Sequence, residues 1–255
     1  DIVGFAEDAA AQERARLRLG DQPIYDLRRI LENQVGLRIF LGSLPARIAG
    51  MYAHGADVGY CILINRKHPV ERRRWSLAHE YGHFLCDRHR PGVDELAVAG
   101  KRPQNERFAD AFARGLLMPR VGVRSRFHGI LASSRQFTVA DLCRVADDFC
   151  VSVQAMTLRL EELALIPRGT WDHLQGEGFK PVLAKERLEL PGRRGVEEDP
   201  FPERYKMLAV QAHTSGQLSE GQLARFLRTD RVSARVMVEE CSERTETDAE
   251  GNRQV

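Results

Sequence analysis

Five consecutive residues, His79-Glu80-Tyr81-Gly82-His83, carry the most legible chemistry in this chain. On a helix, residues i and i+4 stack on one face, so the two imidazoles would converge on one divalent ion. Glu80 would project on the adjoining side, where it can touch a water held by the ion without binding the ion itself. An ion in that position lowers the water's pKa from about 15.7 towards about 7. Glu80 can then take its proton and pass it to a leaving amine. That chemistry is metal-assisted hydrolysis of a peptide bond.

A third protein ligand is needed, and two residues compete for the place. His89 would complete His79-Glu80-x-x-His83-x-x-Cys86-x-x-His89, with cysteine where the metzincin pattern has glycine. Cysteine lacks the backbone freedom that lets such a chain turn sharply back, and no Met-turn follows. Glu106 is the other candidate, on a helix opened by Pro103 and stopped by Pro119. A carboxylate from a second helix is the thermolysin-type third ligand. Asp110, one turn further on, would orient His79 or His83 through a hydrogen bond.

The motif needs a helix, and the period supplies one. Leu77, Tyr81, Phe84 and Leu85 form one apolar stripe. Before it, Phe5–Leu19 and Ile24–Val35 read as helices. Leu37–Leu41, Ile48–Ala53 and Val58–Ile64 read as short strands. Val58–Ile64 is either a sheet edge that takes substrate as an added strand or a core strand. After the motif, Thr138–Phe149 and Ser152–Leu165 form a helical pair with a short turn, Thr138 and Ser152 serving as N-caps. Residues 167–202 read as a linker with one strand at Lys180–Leu183, and Glu203 to Glu240 as a second helical cluster. Arg72-Arg73-Arg74 reads as a solvated basic run. Tyr52, Tyr60 and Tyr81 are the candidates for an oxyanion donor.

These residues resemble the ImmA/IrrE metallopeptidases. The resemblance rests on Ile64-Asn65, on Arg74-Trp75-Ser76-Leu77-Ala78-His79-Glu80-Tyr81-Gly82-His83-Phe84-Leu85, and on Glu106-x-x-Ala109-Asp110-x-Phe112-Ala113-x-x-Leu116-Leu117-Met118-Pro119, and covers residues 20 to 166. It implies one zinc ion held by His79, His83 and Glu106, with Glu80 as catalytic base. Asp110 stands where the family usually has Asn. Members typically cleave a repressor carrying a helix-turn-helix domain, switching on stress or mobile-element genes. Many carry such a domain ahead of the peptidase, and the absence of Met at position 1 fits its removal.

Composition sets outer limits. With 255 residues, 29% charged and 43% hydrophobic, the chain has the make-up of a globular protein rather than a disordered one. A net charge of +2 is too small to argue for nucleic acid. No apolar stretch approaches a membrane span. Five scattered cysteines without a C-x-x-C pair suit a reducing cytoplasm.

The expectation is therefore an α+β protein: a mostly helical zincin-like core with a small sheet at 1–125, a helix-turn-helix-like pair at 126–167, and a linker with a mostly helical region at 168–255. The expected activity is zinc-dependent endopeptidase action on a regulatory protein, a helix-turn-helix repressor. The alternative is a DNA-binding regulator or partner-binding module on a peptidase-like fold. The second helix of the pair offers Gln154, Thr157 and Arg159 but also Glu161 and Glu162, so the pair is expected to contact protein and the chain not to bind DNA directly.

Overall fold

A computed structural model of the chain describes residues 1–56, 59–87, 103–190 and 199–251. The sheet comprises β1 (Arg38–Gly42), β2 (Gly50–Gly55) and β3 (Gly59–Asn65), in the order β1-β3-β2. β3 runs parallel to β1, with Arg38 opposite Cys61, and antiparallel to β2, with Gly50 opposite Ile64. Ile62 and Ile64 alternate onto the buried face, as the two-residue period of a strand requires. β3 is thus the central strand, paired on both sides, and the reading of this segment as an open edge is excluded; Val58 lies outside the described residues. β2 is an outer strand. Asn65 is fully buried and holds the connection between β1 and β2: its amide donates to the carbonyls of Leu44, Pro45 and Ile48, and its oxygen accepts from the Leu44 and Lys67 backbone.

The helices of the same unit are α1 (Ile2–Arg16), α2 (Leu27–Ile30, continued by a π-helical turn at Leu31–Val35), α3 (Val70–Asp87), α4 (Gln104–Leu117), α5 (Arg120–Ser134), α6 (Val139–Asp148), α7 (Val153–Glu162), α8 (Thr170–Gly176) and α9 (Pro181–Arg187). The sequence placed the metal motif correctly on a helix and mistook the segment at 180–183. Pro181 there sits in the first turn of α9, where its missing N–H is no loss, and starts a helix instead of a strand. Residues 167–202 also carry α8, whose Trp171 and Leu174 join the main core, so this stretch is more than a linker.

α3 and α4 pack at very close range. A Cβ on Gly82 would stand 3.0 Å from the Ala109 Cα, a contact that only glycine relieves. α1 braces both helices by hydrogen bonds from a face that is small and polar. Ala10 fits against Gly115 of α4. Arg14 donates to the Leu116 carbonyl at the end of α4, and Glu13 accepts from the Tyr81 hydroxyl on α3. Glu7, 7% exposed, receives two hydrogen bonds, at 2.6 and 2.9 Å, from Arg159 on α7, which is 0% exposed. Arg159 also donates to the Met118 carbonyl at 3.0 Å.

The chain divides into two compact units, Asp1–Glu198 and Asp199–Val255. The second contains α10 (Glu203–Thr214), α11 (Glu220–Phe226) and α12 (Arg231–Gly251) around a small core of Ala209, Leu223, Ala224, Leu227 and Ala234.

Candidate metal centre

His79 and His83 leave α3 one turn apart, and their Nε2 atoms stand 3.0 Å from each other. Glu106, in the first turn of α4, reaches across with one carboxylate oxygen 3.1 Å from His83 Nε2 and the other 3.5 Å from His79 Nε2. Three donor atoms that bind one zinc ion tetrahedrally lie about 3.3 Å apart, which follows from metal–ligand bonds of about 2.0–2.1 Å. The donor set fits such an ion, and these three residues form a group that can hold a metal. Glu106 is therefore no solvated helix charge. His89, the competing ligand, lies outside the described residues.

Asp110, one turn after Glu106, accepts from His79 Nδ1 at 3.0 Å. That bond sets the ring plane and makes Nε2 the nitrogen aimed at the donor cluster. The charges agree with the geometry. Burial disfavours a charged His79, but hydrogen bonds to Asp110 and Glu106, and the negative charge of Glu80, outweigh it and push its pKa up to about 10. Hydrogen bonds from His79 and His83 pull Glu106 far below the usual carboxylate range. The cluster is built to hold positive charge, which a proton or a metal cation can supply.

Glu80 is 5% exposed and lies against the start of β2. A Cβ on Gly50 would stand 3.1 Å from its Cγ and its Oε1, so the glycine gives the carboxylate its room. Glu80 is thereby placed between α3 and an outer strand.

Several expectations change. Tyr81 is on the helix face opposite the histidines and spends its hydroxyl on Glu13, with Arg16 Nη2 at 3.3 Å, so it is no oxyanion donor. Tyr60 stacks on His54 at 4.4 Å between ring centres, and Tyr52 is buried edge-on to Phe84 at 6.1 Å; neither contact assigns the oxyanion role. Arg159 and Thr157 are 0% exposed, so they cannot offer a surface to DNA or to substrate. Of the basic run, Arg72 is exposed, but Arg74 is buried and donates to the Ile24 and Tyr25 carbonyls. Sequence reasoning missed Gly82, Gly50 and the polar face of α1. The glycine inside the metal motif was the one available signal, since a helix interior tolerates glycine at a loss of about 1 kcal/mol unless close packing needs it.

A family model for the IrrE N-terminal-like domain of the M78 peptidases matches residues 33–161. The match runs from the π-helical turn through the sheet, α3 and α4 into α7, and leaves α1 and the second unit outside it. No curated protein matches the chain.

Proposed function

The chain belongs to the IrrE N-terminal-like peptidase family, and from that premise we propose that it is a zinc-dependent endopeptidase that cleaves a regulatory protein, a helix-turn-helix repressor, in a stress or mobile-element response. One observation carries the enzymatic part: two histidine nitrogens and the Glu106 carboxylate converge within 3.5 Å of one another beside a buried glutamate. Zinc held there supplies a Lewis acid that polarises the scissile carbonyl and makes water a nucleophile near neutral pH. Glu80 takes the water's proton on its carboxylate and returns it to the departing amine. Asp110 holds the His79 ring in place throughout. The intact ligand set and base favour an active peptidase over a partner-binding module on the same fold.

The substrate reading comes from the family, and a cytoplasmic setting agrees with five scattered cysteines and no C-x-x-C pair. No helix of the described residues is long and apolar enough to cross a membrane.

The test is co-expression with neighbouring regulators, followed by mass spectrometry of fragments. Glu80→Gln should keep fold and metal and lose about 10²–10⁴-fold in cleavage rate. Near-normal cleavage by that variant would remove Glu80 from the mechanism. A purified chain that takes up no zinc on reconstitution would remove the metalloenzyme altogether.

A further inference from the structure

The chain contains the same helix-turn-helix corner twice. α6 and α7 are joined through Cys150, and α11 and α12 through Arg228, each a non-glycine residue in the left-handed region, at φ +53° and +49°. In the first corner the Val151 amide donates to the Ala146 carbonyl at 3.0 Å; in the second, Thr229 donates to Ala224 at 2.9 Å. Ser152 caps α7 by accepting from the Ala155 amide, and Asp230 accepts from the Ser233 amide in the same way. Counted from the left-handed residue, Val145, Ala146, Phe149 and Met156 correspond to Leu223, Ala224, Leu227 and Ala234, and all eight are buried.

The two corners differ in what surrounds the second helix. α7 buries Val153, Met156, Thr157, Arg159 and Leu160, and its exposed face of Gln154, Leu158 and Glu162 carries no cation. α12 exposes Arg231, Val232, Arg235 and Val236 in its first two turns. Arg225 at the end of α11 and Arg228 in the turn are exposed beside it. Residues 220–238 carry four arginines against two acids. Both acids are engaged: Glu220 accepts two hydrogen bonds from Arg235, at 2.8 and 3.0 Å, and Asp230 caps α12.

We propose that the N-terminal half of α12, with Arg225, Arg228 and Arg231, is a contact surface for double-stranded DNA. A helix about 10–12 Å across fits the B-form major groove, which is about 12 Å wide. The major groove of RNA duplexes is too narrow for it, and this selects DNA. Arg225 and Arg228 sit where a helix-turn-helix meets the phosphates, and Arg231, Val232 and Val236 sit where it meets base edges, the valines against thymine methyls. Glu239 and Glu240 follow further along, so only the N-terminal end of α12 can approach the duplex. The expectation that the chain does not bind DNA directly was argued from the pair at 138–165, and the proposal departs from it at the second corner. The inference is independent of the peptidase reading.

The experiment uses the full chain and a fluorescent mixed-sequence duplex of about 20 base pairs, about two helical turns. Binding is measured over a range of salt concentrations. The chain should bind, with log K falling linearly in log salt. Arg225→Gln with Arg228→Gln should weaken binding at least about tenfold and reduce the slope by about two, one for each phosphate that is no longer neutralised. Arg225→Lys with Arg228→Lys should restore the slope, which separates charge from folding. Absence of duplex binding at low salt overturns the proposal, as does an unchanged slope in the glutamine variant. A dimer that falls apart on Val232→Ser with Val236→Ser, in a chain that ignores DNA, also overturns it and gives the face to a second copy.

Discussion

At His79 the nitrogen that faces His83 and Glu106 is chosen by the residue on the other side of the ring. Asp110 accepts a hydrogen bond from Nδ1, so Nε2 is the nitrogen turned towards the cluster. An asparagine can accept the same proton through its carbonyl oxygen, and a leucine cannot. Asp110→Asn should thus hold zinc within tenfold of the unaltered chain, whereas Asp110→Leu should weaken it by about 10–100-fold. Competition against a chelator of known affinity reads both. Equal affinity in all three proteins would mean that Asp110 orients nothing. Glu106→Gln removes a ligand outright and should strip the metal from the purified protein, as elemental analysis will show. Full zinc occupancy in that variant would move the third ligand elsewhere. The convergence of His79 and His83 was legible in the sequence because it follows from i, i+4 spacing alone. That Glu106 joins them was legible only as one of two possibilities, since it depends on how a second helix is laid against the first. Arg159 was misread as a surface residue: nothing local announces that Glu7, far away in sequence, is waiting for it.

Among the elements, the contact between α3 and α4 decides whether the ligands meet. Each helix by itself was predictable from its apolar stripe and its prolines. Their separation was not, because it depends on one missing Cβ. Gly82→Ala would place a methyl 3.0 Å from the Ala109 backbone, so the helices must part. The expected loss is about 1–3 kcal/mol of stability, together with weaker zinc binding than in a surface Gly→Ala control such as Gly129→Ala, where no atom lies within 4 Å. Thermal melts and zinc competition on both variants test this; matched behaviour would show that the close approach does not set the site. The strand reading at 180–183 failed for a related reason. Four residues of alternating character do not distinguish a strand from the first turn of a helix, and proline at that turn favours the helix.

Across the whole molecule, the first unit is tied together by charges taken out of water, while the core of the second is made of Ala and Leu. Glu7 is the centre of that tie, with Arg159 and, at 3.2 Å, Arg120. Burial would raise its pKa, but the hydrogen bond and charge of Arg159 overcome this and hold it below its ordinary value. A carboxyl whose pKa is lower when folded than when unfolded binds protons more tightly in the unfolded chain. Its contribution is therefore fully present above the unfolded value of about 4.3 and disappears as pH falls through the depressed one. Acid should melt the unit at 1–198 through this pair, and replacing the pair should change that response. Arg159→Met alone leaves the Glu7 carboxylate buried without its main partner and should lose about 3–5 kcal/mol at neutral pH. Glu7→Gln with Arg159→Met removes both charges and should recover most of that loss, since apolar or neutral replacements of a buried pair are often near neutral in stability. The double variant should also lose less stability between pH 6 and pH 3 than the unaltered chain, a pH interval of about three units that spans the carboxyl titration. Denaturant melts at the two pH values decide the matter. If the double variant is as acid-sensitive as the original, the acid response belongs to other carboxylates, and the Glu7–Arg159 pair serves to fix α1 against α7 rather than to set the pH limit of the fold.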